Sequence, residues 1–261
     1  MSYTPPMAHI RHYKPTDDKL VHFIVGKSNM ESLAAANRQA CAHPLTLSIW
    51  LALSAILTDF MHLWPTERHG LLGYLTPVPI MAATAVPIMF LIDWLNRPPF
   101  EQRVQAALKG PDLSNISEYY SQSPSSGLWI LDYKEQFVGL IALDAFQGTP
   151  AMSKTTLGKR AQKSSGVAST ATIRHFYVDE AYRDSGIQAD LLDHAVRVAF
   201  GSDPSLQCIK ASDSSLITYM RTCLRDTGFQ LECITGRIGV YRWKVGQRTL
   251  ERTDWERKNK L

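Results

Sequence analysis

Apolar positions are spread unevenly along the chain. Two blocks are nearly continuous, LTLSIWLALSAILTDFMHLW (45–64) and LLGYLTPVPIMAATAVPIMFLIDWL (71–95), and only PTERHG separates them. Each is close to the roughly 20 residues that a helix needs to cross a bilayer. Apolar side chains cover all faces, and Trp50, Trp64, Tyr74 and Trp94 cluster near the block ends, where aromatic residues favour the membrane interface. The pattern predicts a membrane hairpin over 44–95, with residues 45–95 meeting the lipid. A pair of buried core helices is the competing reading. Pro77, Pro79 and Pro87 interrupt the second block, so a shallow or re-entrant hairpin competes with two full spans. Asp59 and Asp93 mark segment ends or a polar contact between the helices. Arg11, Lys14, Lys19, Lys27 and Arg38 precede the hairpin, Arg97, Arg103 and Lys109 follow it, and Arg68 alone is basic within it. Basic flanks stay in the cytosol, so both soluble parts are expected on that side.

Outside the hairpin the period switches between two and 3.6. HIRHYKP (9–15) reads as a strand, and the following segment as a helix capped by Thr16 or Asp17 with Leu20, Phe23 and Ile24 on one face. FEQRVQAALKG is a short helix stopped by Gly110 and Pro111, and PDLSNISEYY a capped turn or helix. Leu128–Tyr133 and Phe137–Leu143 form a β-hairpin. Residues 146–169, rich in Ser, Thr, Gly and Lys, are expected to be a mobile loop; its Lys154, Lys159, Arg160 and Lys163 read as solvated, with an anionic contact as the alternative. TATIRHFYV (170–178) is a strand, LQCIKAS another, and SLITYMRTCLRDTG a helix ended by Gly228. FQLECI and RIGVYRWKV read as closing strands, and 246–261 as a charged helical tail at the membrane surface. The order predicts an α/β fold, a mixed β-sheet flanked by helices, with the hairpin inserted after the first helix. The domain is thus expected to comprise 1–43 and 96–245.

Composition narrows the chemistry only a little. The 261 residues suffice for one large domain, and 45% hydrophobic against 20% charged residues exclude a disordered chain. A net charge of +4 without a basic stripe interleaved with aromatics argues against nucleic acid. Cys41, Cys208, Cys223 and Cys233 show no C-x-x-C spacing and no His/Cys cluster, so reduced thiols and no metal are expected.

The chemical signal lies in YVDEAYRDSGIQADLL (177–192). A strand ends, a polar turn holds Arg183 and Gly186, and a helix starts with Ile187, Leu191, Leu192, Ala195 and Val198 on one face. Such a junction points backbone N–H groups outward at the helix start, where anions bind.

Arg183, Asp184, Ser185, Gly186, Ile187 and Gln188 resemble the acyl-CoA motif, R-x-x-G-x-(G/A), of the GCN5-related N-acetyltransferases (GNAT). FVGLIAL and the run to Thr227–Phe229 resemble that family's hairpin and late helix. HIRHYKPTD, the apolar hairpin after the first helix, PDLSNISEYY and RHFYVDEAYRDSGI look like its membrane-bound branch, which includes cysteine S-conjugate, aspartate and endoplasmic-reticulum lysine N-acetyltransferases. The resemblance covers most of the chain except the Ser/Thr loop and the tail. It implies a GNAT-like sheet and acetyl-CoA as co-substrate, held by Phe176, Val178, Arg183, Asp184, Ser185, Gly186, Ile187, Gln188 and Ala189. It also implies the endoplasmic reticulum as the location. Two positions depart from the family. Gln188 replaces the motif's last small residue, and Leu224 stands where many relatives place a tyrosine as general acid; Tyr219 is not its equivalent.

Acetyl transfer to an amine requires a base, an oxyanion donor and an acid for the thiolate. Strict alternation puts Thr172, Arg174 and Phe176 on one face of their strand and Ile173, His175 and Tyr177 on the other. Thr172 stands where some relatives keep a carboxylate base. His175 is the candidate base: it matches a histidine of the S-conjugate enzymes, and imidazole chemistry suits neutral pH. A packed structural histidine is the alternative. Arg174 could hold a substrate carboxylate bidentately or form a salt bridge across the sheet. Asp179 and Glu180 are expected to cap the turn, and Asp213 the next helix. The chain is therefore expected to be a membrane-anchored N-acetyltransferase acting on a primary amine, namely a small amino acid, a cysteine conjugate or a protein lysine. The alternatives are an inactive membrane escort or packaging factor of the same fold, and a CoA-binding regulator without turnover.

Overall fold

The computed structural model describes residues 8–64, 75–134, 136–145 and 170–259. The hairpin tip 65–70 and the Ser/Thr-rich loop 146–169 lie outside the described residues. The chain forms two compact units, one of Met1–Ser28, Ala106–Gly236 and Lys244–Leu261, the other of Asn29–Gln105 and Arg237–Trp243.

The first unit is built on a seven-stranded sheet. Its strands are β1 (His9–His12), β2 (Gly127–Tyr133), β3 (Gln136–Asp144), β4 (Thr170–Val178), β5 (Cys208–Ser214), β6 (Gln230–Ile238) and β7 (Trp243–Glu251), in spatial order β1-β2-β3-β4-β5-β7-β6. The β1–β2, β2–β3, β3–β4 and β5–β7 pairs are antiparallel, and β4–β5 is parallel. The helices, numbered along the whole chain, are α1 (Asp18–Cys41), α2 (Pro44–Phe60), α3 (Val78–Leu108), α4 (Pro111–Ser114), α5 (Ile116–Tyr120), α6 (Ile187–Ser202), α7 (Thr218–Thr227) and α8 (Arg252–Asn259). The mixed sheet is present, and its strands follow the expected order along the chain.

Two cores sandwich the sheet. On one face α6 buries Leu191, Leu192, Ala195, Val196, Ala199 and Phe200 against Trp129, Ile141, Ile173 and Phe176. On the other, Val21, Ile24 and Val25 of α1 pack with Leu113, Ile116, Leu140 and Tyr177. Each fully buried aliphatic or aromatic side chain contributes about 1.5–3 kcal/mol relative to exposure.

Strict alternation fails in β4. Ala142 pairs with His175 but Leu143 pairs with Ile173, so Arg174 is an extra residue, a β-bulge. The bulge reverses the phase of the strand. Ile173 joins Phe176 and Val178 in the α6-facing core, whereas Tyr177 belongs to the α1-facing core. The expected grouping of Ile173 with His175 and Tyr177 is therefore corrected.

Three boundaries also move. β6 and β7 meet at a turn spanning 239–242, with Gly239 at φ 73° and Arg242 at φ 54°, inside the stretch read as one strand. Trp243 packs where a side chain at position 239 would lie, so glycine is required there twice over. The second correction follows from the first: GQRTLE, assigned to the tail, is the second half of β7, and Gly246 to Glu251 pair with Asp213 to Cys208. Among the described residues of that tail, Arg252–Asn259 is the helical part. It is tied down by Arg252, which donates to the carbonyls of Phe200 and Leu206 at 2.9 and 2.7 Å. Third, α3 runs unbroken for 31 residues with Pro87, Pro98 and Pro99 inside it, merging the second apolar block with the short helix expected after it.

In the second unit α2 has an inverted polarity, whereas α3 buries Ile80, Ile92 and Phe100 beside Thr84 and Asn96. The buried residues of α2 are Thr46, Ser54 and Thr58, while Leu51, Ile56 and Phe60 of the same helix are exposed. Ser54 and Thr84 share a hydrogen bond of 2.7 Å, Trp50 donates to the Met81 carbonyl at 3.0 Å, and Asn37 bonds Asp93 and Asn96. The turn after β6 closes this seam. The Tyr241 hydroxyl lies 2.6 Å from Thr46, its ring stacks on His43 at 4.0 Å, and Val240 N–H donates to Asn96. Among the described residues α3 is long and apolar enough to cross a membrane by itself; α1 and α2 pass that test only as a pair bent by 55°.

Candidate active site

The bulge in β4 has a second consequence. β4 and β5 pair only from Thr170–Cys208 to Ile173–Ala211, although β4 continues to Val178 and β5 to Ser214. The strands part where Arg174 is inserted. Among the described residues β5 does not pair with β4 beyond Ile173, and an extended ligand can lie along β4 there, although the Val178 carbonyl accepts from Arg183 Nε.

The parted strands lead to the head of α6. Asp179 caps the 3₁₀ turn Glu180–Ser185 by accepting from Ala181 N–H at 3.3 Å, as expected. Gly186 follows at φ 79°, in the left-handed region, and α6 starts at Ile187. Nothing lies within 4 Å of a side chain built at Gly186, so glycine is needed for backbone shape, and the space before it is open. The first N–H groups of α6 have no partner within the helix. Asp184, Ser185, Gly186 and Ala189 are exposed there. The Ser185 hydroxyl turns back to donate to the Tyr182 carbonyl at 2.6 Å.

Arg183 is used locally. Its Nε donates to the Val178 carbonyl at 2.9 Å and its guanidinium lies 4.0 Å from the Tyr219 ring centroid. Gln188 points inward, its Oε1 buried without a hydrogen-bond partner. Leu224 is buried in the α6-facing core. Asp213 does not cap α7, whose N-cap is Ile217; it lies 3.2 Å from Arg248 and 3.5 Å from Arg221.

His175 and Arg174 both meet buried carboxylates. His175 Nε2 lies 2.8 Å from Asp112 Oδ2, and the Tyr120 hydroxyl donates to the same oxygen at 3.3 Å. Asp112 is 3% exposed and is delivered by α4, which Pro111 starts. Arg174 Nε donates to Asp144 Oδ2 at 2.6 Å, its Nη2 donates to the Tyr119 hydroxyl at 2.8 Å, and that hydroxyl donates to Asp144 at 2.8 Å. Of the two roles open to Arg174, the structure thus shows the salt bridge across the sheet.

The electrostatics follow from this pairing. Burial pushes the Asp112 carboxyl up, but the His175 hydrogen bond and the His175 and Arg174 charges outweigh it and hold the group below its ordinary value. Its share of stability is therefore present above the ordinary carboxylate range and lost as pH falls through the lowered value. Burial and the Asp144 contact push Tyr119 up to about 12, and burial beside Asp112 raises Tyr120 well above the usual phenol. Both phenols are donors at neutral pH.

Asp112, Asp144, Tyr119 and Tyr120 escaped the sequence reading. PDLSNISEYY was singled out, but nothing in its spacing ties Asp112 to a histidine 63 positions away. Among the described residues no group of three or more His, Cys, Asp or Glu side chains could hold a metal ion.

A family model described as the acetyltransferase (GNAT) family matches residues 89–220, half of the chain. No curated protein matches the sequence. Among solved structures, the chain is similar to a GNAT-family acetyltransferase from Streptococcus pneumoniae, with 12% identity over 94% of this chain and 99% of that one and a TM-score of 0.46. Spermidine N-acetyltransferase from Vibrio cholerae, solved with CoA and spermine, shows 9% identity over 95% and 98% of the two chains and a TM-score of 0.46. A Salmonella typhimurium protein solved with acetyl-CoA as its cofactor shows 14% identity over 56% and 82%, with a TM-score of 0.40.

Proposed function

We propose that this chain, which belongs to the GNAT family of acetyltransferases, moves the acetyl group of acetyl-CoA to a primary amine and works from a membrane anchor. The observation that carries the reading is the parting of β4 and β5 at the Arg174 bulge, beside the His175–Asp112 pair and next to the head of α6. Acetyl-CoA would lie along β4 at Phe176 and Val178, on the side from which β5 has parted. Its pyrophosphate would meet the backbone N–H groups from Ser185 to Gln188, where the open space at Gly186 fits an anion; the Ala189 N–H already donates to the Gly186 carbonyl at 2.9 Å. Arg183, bound to Val178 and stacked on Tyr219, buttresses that turn.

The amine must lose a proton to attack. With Asp112 accepting from Nε2–H, the lone pair of His175 is at Nδ1, and Asp112 fixes that tautomer. Once the ammonium has lost its first proton to solvent, the C–N bond forms and the C–S bond breaks, a second amine proton passes to Nδ1, and the thiolate is protonated through a water that the His175 imidazolium then reprotonates, since Leu224 cannot supply a proton. A second reading, the inactive escort, is favoured by Gln188, whose inward side chain replaces a small residue.

The anchor in this proposal is the pair α2 and α3, whose outer faces carry exposed apolar side chains such as Ile56, Phe60, Val86 and Phe90 while small polar groups of Ser54, Thr58 and Thr84 are buried, as expected of helices packed in lipid. The charge distribution supports cytosolic flanks, and the endoplasmic reticulum is the membrane proposed.

Calorimetry of acetyl-CoA with detergent-purified protein, followed by assay of free CoA in the presence of amines, tests the reading. Gly186→Trp is expected to weaken binding about tenfold or more, because an L residue pays roughly 1–2 kcal/mol in the left-handed region and the ring fills the open space. Binding without CoA release from any amine would leave a CoA-binding regulator; no binding by the folded protein would favour the escort.

A further inference from the structure

We propose that the amine acceptor is an alkylammonium without a carboxylate beside its nitrogen, and that Asp144 enforces this choice by occupying Arg174. The inference rests on the transferase reading above and names its acceptor class. A substrate carboxylate would need a cation to meet it, and Arg174 is the guanidinium on the bulge. Its Nε and Nη2 both lie 2.6 Å from Asp144 Oδ2, and Nη2 also donates to Tyr119. Asp144 is 5% exposed and accepts from Tyr119 as well, so it sits where a bidentate substrate carboxylate would otherwise bind.

The charge count points the same way. Two buried carboxylates, Asp112 and Asp144, stand against one guanidinium, Arg174, with His175 bonded to Asp112. A third carboxylate entering this cluster would meet like charge, whereas an ammonium is attracted. Tyr120 joins this cluster to a cavity of about 220 Å³, lined also by Ser117, Ser121, Ser126, Tyr13 and His12. Among the described residues its lining holds hydroxyls, phenols and one imidazole beside Ile116, Gly127 and Leu128, and no lysine or arginine. The ammonium could come from a free alkylamine or from a lysine side chain; the chemistry recognised is the same.

Pentylamine and norleucine form a matched pair, since they differ only by the carboxylate on the amine-bearing carbon. With wild-type protein and acetyl-CoA, kcat/KM for pentylamine is expected to exceed that for norleucine about tenfold or more. Asp144→Asn is expected to narrow the ratio, chiefly by lowering KM for norleucine, because it frees Arg174. Equal use of the two amines, or a preference for norleucine, by the wild type would overturn the proposal even if the variant did not fold. If no amine releases CoA, the transferase reading has failed; calorimetric titration of the CoA-loaded protein with the same pair then decides the acceptor class by the same criterion. Ac-Gly-Lys-Gly-NH2 forms a third arm. Use of the peptide about tenfold better than pentylamine assigns the source to protein lysine, and the reverse assigns it to free amines.

Discussion

His175→Ala lowers kcat at neutral pH by about 10²- to 10⁴-fold, the range over which a positioned general base acts, while acetyl-CoA affinity measured by calorimetry stays near wild type. Steady-state release of CoA gives the first number. A kcat within about threefold of wild type, against that expected range, would remove the histidine from the chemistry. Asp112 has a distinct expectation. It touches no reacting atom in the proposed scheme and acts by holding His175 in one tautomer at 2.8 Å. Asp112→Asn keeps the shape but offers an amide that can donate, so the ring loses its fixed acceptor. The expected result is a loss in kcat of about 10²-fold or more with KM for the amine little changed, and partial recovery in Asp112→Glu. A purely structural role would instead lower the amount of folded enzyme and leave kcat per active site unaltered. The stability effect has a pH signature. The Asp112 carboxyl lies below its ordinary value in the fold, so the stability it provides is full at neutral pH and fades as pH drops through that lowered value. The gap in urea midpoint between wild type and Asp112→Asn should therefore narrow at pH below about 4, where ordinary carboxylates protonate.

Much of this arrangement was legible in the chain, for physical reasons that can be named. β4 and α6 announce themselves because their hydrophobic periods differ and a polar turn with one glycine joins them. Gly186 needed its type because its φ is 79°. The bulge at Arg174 left no trace in the alternation of TATIRHFYV. It is a register event between β3 and β4, and it decides which face His175 takes. The Asp112 contact was invisible for a related reason, since it joins a four-residue helix to a strand through the folded sheet. The turn at 239–242 was read through because RIGVYRWKV keeps alternating across it, and only the packing of Trp243 against Gly239 reveals the stop. The helical run of α3 through Pro98 and Pro99 overrode the usual reading of proline as a breaker. The role of Arg174 was left open between two partners, and a buried carboxylate on the neighbouring strand decided it.

Ile56→Arg and Phe90→Arg separate the two environments open to the second unit. These residues are 67% and 72% exposed, on helices whose buried positions include Thr58, Ser54 and Thr84. If the outer face met water, arginine there would change stability by no more than about 0.5 kcal/mol, as at ordinary surface sites. If it meets hydrocarbon, as proposed, each arginine costs about 2.5–3.5 kcal/mol near the middle of a span, which corresponds to roughly a hundredfold in an insertion equilibrium. The readout is the fraction of protein retained in the membrane pellet after alkaline carbonate extraction. Wild type is expected to stay in the pellet, and the double variant to be largely released or degraded. Thr84→Val provides the contrasting change. It removes the 2.7 Å bond to Ser54 from the seam but leaves the outer face apolar, and interhelical bonds of this kind average only about 0.6 kcal/mol in lipid. The variant should therefore remain in the pellet. Release of wild type by carbonate, with both arginine variants as stable as wild type, would make α2 and α3 a water-facing helical pair and end the anchor proposal, while leaving the chemistry at His175 to be judged by its own experiment.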